Sequence, residues 1–208
     1  MPSETPAEIK EQIDKGISIL KQGGIIAFPT DTIFGLGACF DDIDAIERIY
    51  RVKQRRYDKG LPLLVADRQQ MLLLVASMPP LAEKLLNSFE TGSLTLVLKK
   101  AVAVPDVVTG GSATVAVRIT AHPVARALIK GLGKPVVATS ANVSGDPSAL
   151  TAEEVRWQLG AKIDLIIGGD SGAGKESTII DVNTDIPVIL RQGVVAEEEI
   201  LKAAQRSE

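Results

Sequence analysis

Residues 24–37 read GIIAFPTDTIFGLG and join a short apolar run to a polar stretch that contains glycine. The run 24–29 has the length and continuous apolar character of a buried strand, and the residues that follow, through Gly37, have the composition of a loop. Before this strand, residues 6–22 carry apolar side chains at helical spacing and end at Gly23 and Gly24, which are a stop signal. A helix that leads into a buried strand predicts an α/β fold.

The rest of the chain continues with alternating helical and strand-like patterns. Helices are predicted at residues 42–52, 68–76, 81–89, 123–130, 152–159 and 197–204. Strands are predicted at residues 61–66, 94–99, 114–119, 135–139, 164–167, 178–182 and 188–190. Since strands follow one another directly in the last third, we expect one twisted mixed sheet flanked by helices. The length of 208 residues fits a single domain over 1–208.

The composition excludes several classes of protein. Apolar residues make up 45% and charged residues 24%, which is typical of a globular chain and not of a disordered one. A net charge of −3 argues against a protein that coats nucleic acid through bulk charge. The single cysteine, Cys39, excludes an intramolecular disulfide and offers no zinc cluster. A lone thiol of this kind is more often a small core residue than a nucleophile.

Two further features of the sequence bear on the location of the protein. Residues 1–4 lack the basic and apolar segments of a signal peptide. The longest apolar runs, 61–66 and 71–76, are far shorter than the ~20 residues that cross a bilayer. We therefore expect a soluble, cytoplasmic protein with no membrane partner.

Residues 168–175, GGDSGAGK, match two motifs that the surrounding sequence does not support. Gly169, Gly174 and Lys175 have the spacing of a phosphate-binding loop, but Glu176 stands where a hydroxyl must hold Mg²⁺, and a β-like segment follows instead of a helix. The GDSG within it also occurs around the nucleophile of trypsin-like proteases. The only histidine, His122, lies in a predicted strand-to-helix turn, so a triad is not supported. We expect a glycine-rich loop between strands.

A basic run precedes the predicted strand 61–66. Residues 47–60 read ERIYRVKQRRYDKG and contain six cations within twelve positions, namely Arg48, Arg51, Lys53, Arg55, Arg56 and Lys59. Such a run is often only a solvated helix face. Here its last cations lie at the end of a predicted helix, where Lys53 and Arg55 could converge on a phosphate chain.

Two polar loops accompany this run. Residues 138–145, ATSANVSG, and residues 29–37, PTDTIFGLG, each come directly after a predicted strand. The ends of strands are common ligand sites in α/β folds, although the same residue types also form ordinary turns. Together with the basic run they favour a nucleotide site, but they do not define a reaction.

Six dispersed segments resemble the YrdC-like threonylcarbamoyl-AMP synthase family. They are PTDTIFGLG, KQRRYDKGLPL, LTLVL, TVAVRITAHP, TSANVSG and STIIDV with LRQG, in the family's order across about residues 15–195. The resemblance is to the short, single-domain members. It implies a twisted mixed sheet with a deep, basic cavity.

The resemblance also implies a reaction. The amine of L-threonine captures bicarbonate as a carbamate, which attacks the α-phosphate of ATP and expels pyrophosphate. The product, threonylcarbamoyl-AMP, is used to modify an adenosine in tRNA, so tRNA is an indirect partner through other modification proteins. Mg²⁺ is expected on the ATP phosphates, with no metal held by the protein itself. Orienting the reactants and neutralising phosphate charge are the main tasks in such a transfer.

Site residues follow from the same resemblance, position by position. Those expected at threonine or its carbamate are Thr32, Arg118, Ser140 and Ser177. Those expected at the nucleotide are Arg55, Lys59, Thr114, Asn142 and Arg191. Lys53 and Arg55 are expected to be catalytic and form, with Ser140 and Asn142, the family's Lys-Arg-Ser-Asn set. We further expect that the loop 168–177 closes over the bound adenylate.

The sequence departs from the family pattern at several positions. Arg56 and Thr120 each replace a usual proline, and residues 90–93, ETGS, replace a proline-glycine-proline lead into the strand at 94. Leu64 falls where some relatives carry a histidine that contacts threonine. Two alternatives remain open on the sequence: an RNA-binding module of the same fold without catalysis, such as one acting in ribosome maturation, and an inert paralogue.

Overall fold

The computed structural model describes residues 7–172 and 174–205 and confirms the predicted α/β class. The strands are β1 (Ile26–Phe28), β2 (Gly35–Cys39), β3 (Leu63–Val65), β4 (Leu94–Lys99), β5 (Thr114–Ile119), β6 (Val136–Ser140), β7 (Leu165–Ile166), β8 (Thr178–Asp181) and β9 (Val188–Arg191). The helices are α1 (Ala7–Lys21), α2 (Ile43–Lys53), α3 (Arg68–Leu72), α4 (Pro80–Ser88), α5 (Asp106–Thr109), α6 (Pro123–Leu132), α7 (Ala152–Gln158) and α8 (Glu197–Gln205), with a short 3-10 helix at Gly160–Lys162. The predicted domain limits, 1–208, and the prediction about residues 1–4 extend outside the described residues.

Within these ranges the strands form one mixed sheet. Its nine strands lie in the order β7-β1-β2-β6-β3-β5-β4-β8-β9. The pairs β1/β7, β3/β5 and β4/β8 are parallel, and the other neighbours are antiparallel. The predicted mixed sheet is therefore confirmed.

Helices cover both faces of the sheet. In β1, Ile26 and Phe28 pack on the side of α1 and α6, whereas Ala27 packs on the side that carries α2, α4, α7 and α8. This alternation follows from the two-residue repeat of a strand. Because both faces are covered, the buried strands are largely apolar, as the continuous runs in the sequence indicate. None of the described helices is long and apolar enough to cross a membrane.

Three elements differ from the sequence-based expectations. Residues 35–39, predicted as part of a loop up to Gly37, form strand β2 between β1 and β6. The helix expected at 68–76 ends at Leu72. The four-residue helix α5 was not predicted, because so short an element leaves no periodic pattern.

Candidate functional site

A cavity of about 300 Å³ opens over the centre of the sheet. Its charged lining consists of the guanidinium groups of Arg55, Arg118 and Arg191 and the carboxylate of Glu176. Of the residues predicted for the site, those that line it are Thr32, Arg55, Arg118, Ser140, Ser177 and Arg191. Three guanidinium groups around one cavity favour an anionic ligand.

Arg118 is the most buried of these cations, with 8% of its surface exposed. Its Nη1 donates to Thr32 Oγ1 over 2.9 Å, and burial lowers the pKa of its guanidinium because the charged form loses water. Among the ion pairs of residues 7–172 and 174–205, none involves Arg118. The carboxylates of Asp31 and Glu176 act on Arg118 without pairing with it directly. A buried charge without a direct partner is costly, so Arg118 is suited to bind a carboxylate ligand.

The turn between β1 and β2 holds Thr32 in place. Thr30 Oγ1 donates to the carbonyl of Ile33 over 2.7 Å, and the backbone N–H of Thr32 lies 3.3 Å from the same hydroxyl oxygen. Thr30 itself lines the cavity. The threonine-rich composition of this turn therefore fixes its shape and also supplies hydroxyl groups to the site.

Lys53 does not line the cavity, and its assignment as a catalytic residue stays a prediction. Its side chain is buried at the end of α2 with 1% exposed. Nζ donates to the carbonyl of Ser140, to the carbonyl of Asn142 over 2.6 Å and to Asn142 Oδ1 over 3.0 Å. Burial, and secondly the charge of Arg55, lower the pKa of Lys53 to about 7. Through these contacts Lys53 fixes the loop after β6.

Arg55 reaches the cavity because the chain reverses directly after α2. Gln54 adopts the left-handed conformation, with φ of 52°, and the Arg55 N–H donates to the carbonyl of Tyr50 over 2.9 Å. The Arg55 guanidinium then donates to the carbonyls of Lys59, over 3.0 Å, and Gly60, over 2.8 Å. The end of the basic run is therefore part of the site, as its position at a helix end indicated.

Asn142 serves the same loop. Asn142 Oδ1 accepts from Lys53 Nζ, and Asn142 Nδ2 donates to the carbonyl of Asp146 over 2.6 Å. With 6% of its surface exposed, Asn142 lies behind the cavity lining rather than on it. Its neighbour Ser140, at the end of β6, does line the cavity. The predicted Lys-Arg-Ser-Asn set is brought together, with two members at the surface of the cavity and two behind it.

Ser177 and Arg191 meet on the opposite side of the cavity. Ser177 Oγ lies 2.7 Å from Thr95 Oγ1, and Arg191 Nη2 donates to the Ser177 carbonyl over 3.0 Å. Arg191 Nη1 forms an ion pair with Glu176, and its buried Nε has no partner among the described residues. Sequence reasoning missed Glu176, because that residue was considered only as a mismatch to a phosphate-binding loop.

Besides Asn142, two predicted nucleotide residues are not part of the cavity lining. Lys59 is exposed, and Thr114 lies at the start of β5, where its hydroxyl is 2.9 Å from Ser112 Oγ. Their assignment stays a prediction. Of the departures from the family pattern, Leu64 lines the cavity, and Thr120 Oγ1 donates to Asp31 Oδ2 over 2.5 Å. That hydrogen bond restrains the chain after β5, where a proline ring would otherwise do so.

The glycine-rich loop 168–177 is docked against the turn that carries Thr32. The N–H of Gly172 donates to the Thr30 carbonyl over 2.9 Å, and that of Gly174 to the Thr32 carbonyl over 3.0 Å. His122 Nε2 lies 3.0 Å from the Asp170 carbonyl, whereas Ser171 Oγ donates to the Leu150 carbonyl over 2.8 Å. No histidine base therefore contacts Ser171 within the described chain. The loop leads into β8 and not into a helix, which confirms that it is not a phosphate-binding loop of the kind that opens a helix.

Comparisons with known proteins identify the fold and the family. Residues 18–193 match the Sua5/YciO/YrdC family, whose description is "Telomere recombination". A protein from Pyrococcus abyssi named threonylcarbamoyl-AMP synthase is 42% identical over 93% of this chain. One of the same name from Vibrio vulnificus strain YJ016 is 41% identical over 85% of this chain and is covered to 96% of its own length.

A solved structure of Pyrococcus abyssi Sua5 in complex with L-threonine superposes with a TM-score of 0.90, at 42% identity, over 96% of this chain and 58% of that one. The chain spans 59% of the length of the Pyrococcus abyssi synthase that it matches. The family match covers most of the chain and includes every residue of the cavity lining. The chain belongs to the Sua5/YciO/YrdC family.

Proposed function

We propose that this protein is an L-threonylcarbamoyladenylate synthase, which condenses L-threonine, bicarbonate and ATP to threonylcarbamoyl-AMP and pyrophosphate. The observation that carries the proposal is the buried Arg118 guanidinium, which has hydroxyl partners but no carboxylate partner among the described residues. The names of the Pyrococcus abyssi and Vibrio vulnificus relatives support it.

The amino-acid half of the cavity is the part around Arg118, Thr32 and Thr30. A guanidinium can bind a carboxylate through two parallel N–H···O bonds, and Thr32 Oγ1 lies 2.9 Å from Arg118 Nη1. Leu64 supplies apolar wall in the same cavity and suits the methyl group of threonine. The threonine complex of Pyrococcus abyssi Sua5 supports this choice of amino acid.

The nucleotide half is the part between Arg55 and Arg191, and Ser140 and Ser177, expected at threonine or its carbamate, line the same cavity. Charge on the phosphates grows as pyrophosphate leaves, and fixed cations stabilise that charge without reorganising. The lining offers one carboxylate beside three guanidinium groups, a set that fits phosphate better than a divalent cation held by the protein. Mg²⁺ therefore enters as part of the MgATP substrate.

The chemistry balances without a general base among these residues. The ammonium group of threonine first releases a proton to solvent; the neutral amine then adds to bicarbonate, a C–N bond forms and water leaves, which gives a carbamate. A carbamate oxygen then attacks the α-phosphate, the bond to the β-phosphate breaks, and pyrophosphate departs. The protein's tasks are to hold the two substrates within reach and to neutralise charge. The product is an activated acyl group for tRNA modification, transferred by partner proteins.

The decisive experiment measures pyrophosphate release by the purified full chain with MgATP, L-threonine and bicarbonate. Release should require all three, and mass spectrometry should detect threonylcarbamoyl-AMP. A matched reaction with D-threonine controls for hydrolysis of ATP by contaminants. An RNA-binding module without catalysis would release none in any combination. Pyrophosphate release that is independent of threonine, or no release at all, would overturn the proposal.

A further inference from the structure

Glu176 is the acidic group in a cavity whose other charged lining residues are Arg55, Arg118 and Arg191. It lies at the start of the segment that enters β8, directly before Ser177. No role follows for it from the anion-binding function of the three guanidinium groups. A carboxylate placed among them weakens the attraction for an anion; it pairs with Arg191, and its remaining acceptor capacity suits a cationic group of the ligand.

The surroundings of Glu176 leave part of its carboxylate available. One oxygen, Oε2, pairs with Arg191 Nη1, and the other, Oε1, has only a long contact of 3.4 Å with Ser148 Oγ. An ionised carboxylate can accept about four hydrogen bonds. The side chain is 35% exposed, and its charge acts on both Arg118 and Lys53. Glu176 can therefore accept from a ligand while Arg191 keeps its carboxylate oriented.

The neighbouring Asp31 does not offer the same possibility. Its two oxygens accept from Thr120 Oγ1 over 2.5 Å and from the Ala121 N–H over 2.9 Å. Asp31 also lies outside the lining of the cavity. Glu176 is thus the acceptor that faces the ligand.

We propose that Glu176 binds the α-ammonium group of the amino-acid substrate, so that Arg118 and Glu176 together recognise the zwitterion. This inference rests on the proposed function. An α-amino acid carries its positive and negative groups on one carbon atom, and a site for it needs a cation and an anion in one cavity, as Arg118 and Glu176 are. Glu176 is accordingly a specificity-determining residue, because it distinguishes an amino acid from a hydroxy acid of the same shape.

The test compares two ligands by calorimetry, without turnover. The ligands are L-threonine and its analogue in which a hydroxyl replaces the amine, and the proteins are wild type, Glu176→Gln and the control Glu153→Gln, which removes an exposed carboxylate from α7. Wild type and Glu153→Gln should prefer L-threonine. Glu176→Gln should bind L-threonine about 10- to 100-fold more weakly and bind the hydroxy analogue no worse than wild type does.

Structural damage would weaken both ligands equally, so the preference is the diagnostic quantity. Glu176→Gln with an unchanged preference for L-threonine overturns this inference, and so does an equal loss of both ligands. If wild type at the same time releases pyrophosphate with threonine, the proposed function stands and only the role of Glu176 falls. If wild type neither binds threonine nor releases pyrophosphate with it, both fall.

Discussion

Arg118 Nη1 and Thr32 Oγ1 lie 2.9 Å apart although 86 positions separate them along the chain. Arg118 is on β5, and Thr32 is in the turn before β2, with β6 and β3 between these two strands in the sheet. The contact therefore joins the centre of the sheet to the first polar loop. It also leaves the guanidinium held in one orientation before any ligand arrives, which lowers the entropy cost of binding.

The first prediction concerns the shape of the Arg118 side chain. Arg118→Lys keeps the charge but loses the planar fork, so threonine should bind about 10- to 100-fold more weakly. The measurement is the KM for threonine in the pyrophosphate assay, with Arg126→Lys as the control because Arg126 is exposed on α6. A threonine KM equal to that of wild type would count against the assignment.

The second prediction concerns the buried contacts of Lys53. Lys53→Ala leaves the carbonyls of Ser140 and Asn142 without their buried donor, and we expect a loss of about 2–4 kcal/mol in the free energy of unfolding. Urea denaturation measures it. Lys59→Ala, at an exposed position in the same basic run, should cost nearly nothing. Equal stability of the two variants would show that the buried contacts of Lys53 are unimportant.

The third prediction follows from the pKa of Lys53, which burial lowers to about 7. In the unfolded chain the pKa of the Lys53 ammonium is about 10.4, so folding releases a proton between about pH 7 and pH 10. The stability of wild type relative to Lys53→Met should therefore rise with pH in this window, with a slope of up to about 1.4 kcal/mol per pH unit. Urea denaturation at several pH values measures this difference. A difference that does not change with pH would mean that Lys53 titrates normally.

The fourth prediction concerns the docking of the loop 168–177. A Cβ at position 172 would lie 1.8 Å from the Asp31 carbonyl oxygen, whereas one at 168 would have its nearest neighbour at 3.5 Å. Gly172→Ala should therefore detach the loop, cost about 1–3 kcal/mol of stability and reduce pyrophosphate release, while Gly168→Ala should do neither.

Amide exchange of the same loop tests the closure expected over the adenylate. In wild type the Gly172 and Gly174 N–H groups should exchange slowly even without ligands, because both are hydrogen-bonded to the turn. With the full set of substrates, protection should extend over the rest of the loop. Exchange that is identical with and without substrates would rule out closure.

The fifth prediction is that Cys39 is chemically inert. Burial, and then the hydrogen bond from Sγ to Asp41 over 3.0 Å, raise the pKa of the thiol to about 11. Since the thiolate is the reactive form, alkylation by iodoacetamide at pH 8 should be slow in the folded protein and fast in urea. Rapid alkylation of the folded protein would contradict the core assignment, which the burial of Cys39 confirms.

The sequence predicted the fold well wherever apolar runs are long. The strands at 94–99 and 114–119 have the expected bounds, because continuous β-branched and leucine residues leave few alternatives. The strand β2 was missed, since glycine is rare in strands. Here glycine is required: a Cβ on Gly37 would lie 2.7 Å from the Val137 carbonyl oxygen and 2.9 Å from the Phe28 ring. That crowding arises only once the strands are paired.

The sequence predicted which residues lie near the site, but not which of them are buried behind the cavity lining. The basic run indicated that Lys53 and Arg55 belong together, yet one is buried and the other lines the cavity. The difference is made by the reversal at Gln54 and by carbonyls in a loop nearly ninety positions away, at Ser140 and Asn142. Local patterns carry no information on such distant partners. For the same reason the proximity of Glu176 to Arg191 could not be anticipated.

The order of the strands makes the two sides of the cavity differ in rigidity. Arg118 projects from β5, which has neighbours on both sides, whereas Arg191 lies on β9, at an edge of the sheet. Edge strands open at lower free energy than central ones, because only one ladder of hydrogen bonds holds them. Arg118 is therefore held more rigidly than Arg191 and the carboxylate of Glu176 that pairs with it. Under the proposed function, a ligand that exchanges beside Arg191 would leave the orientation of Arg118 unchanged.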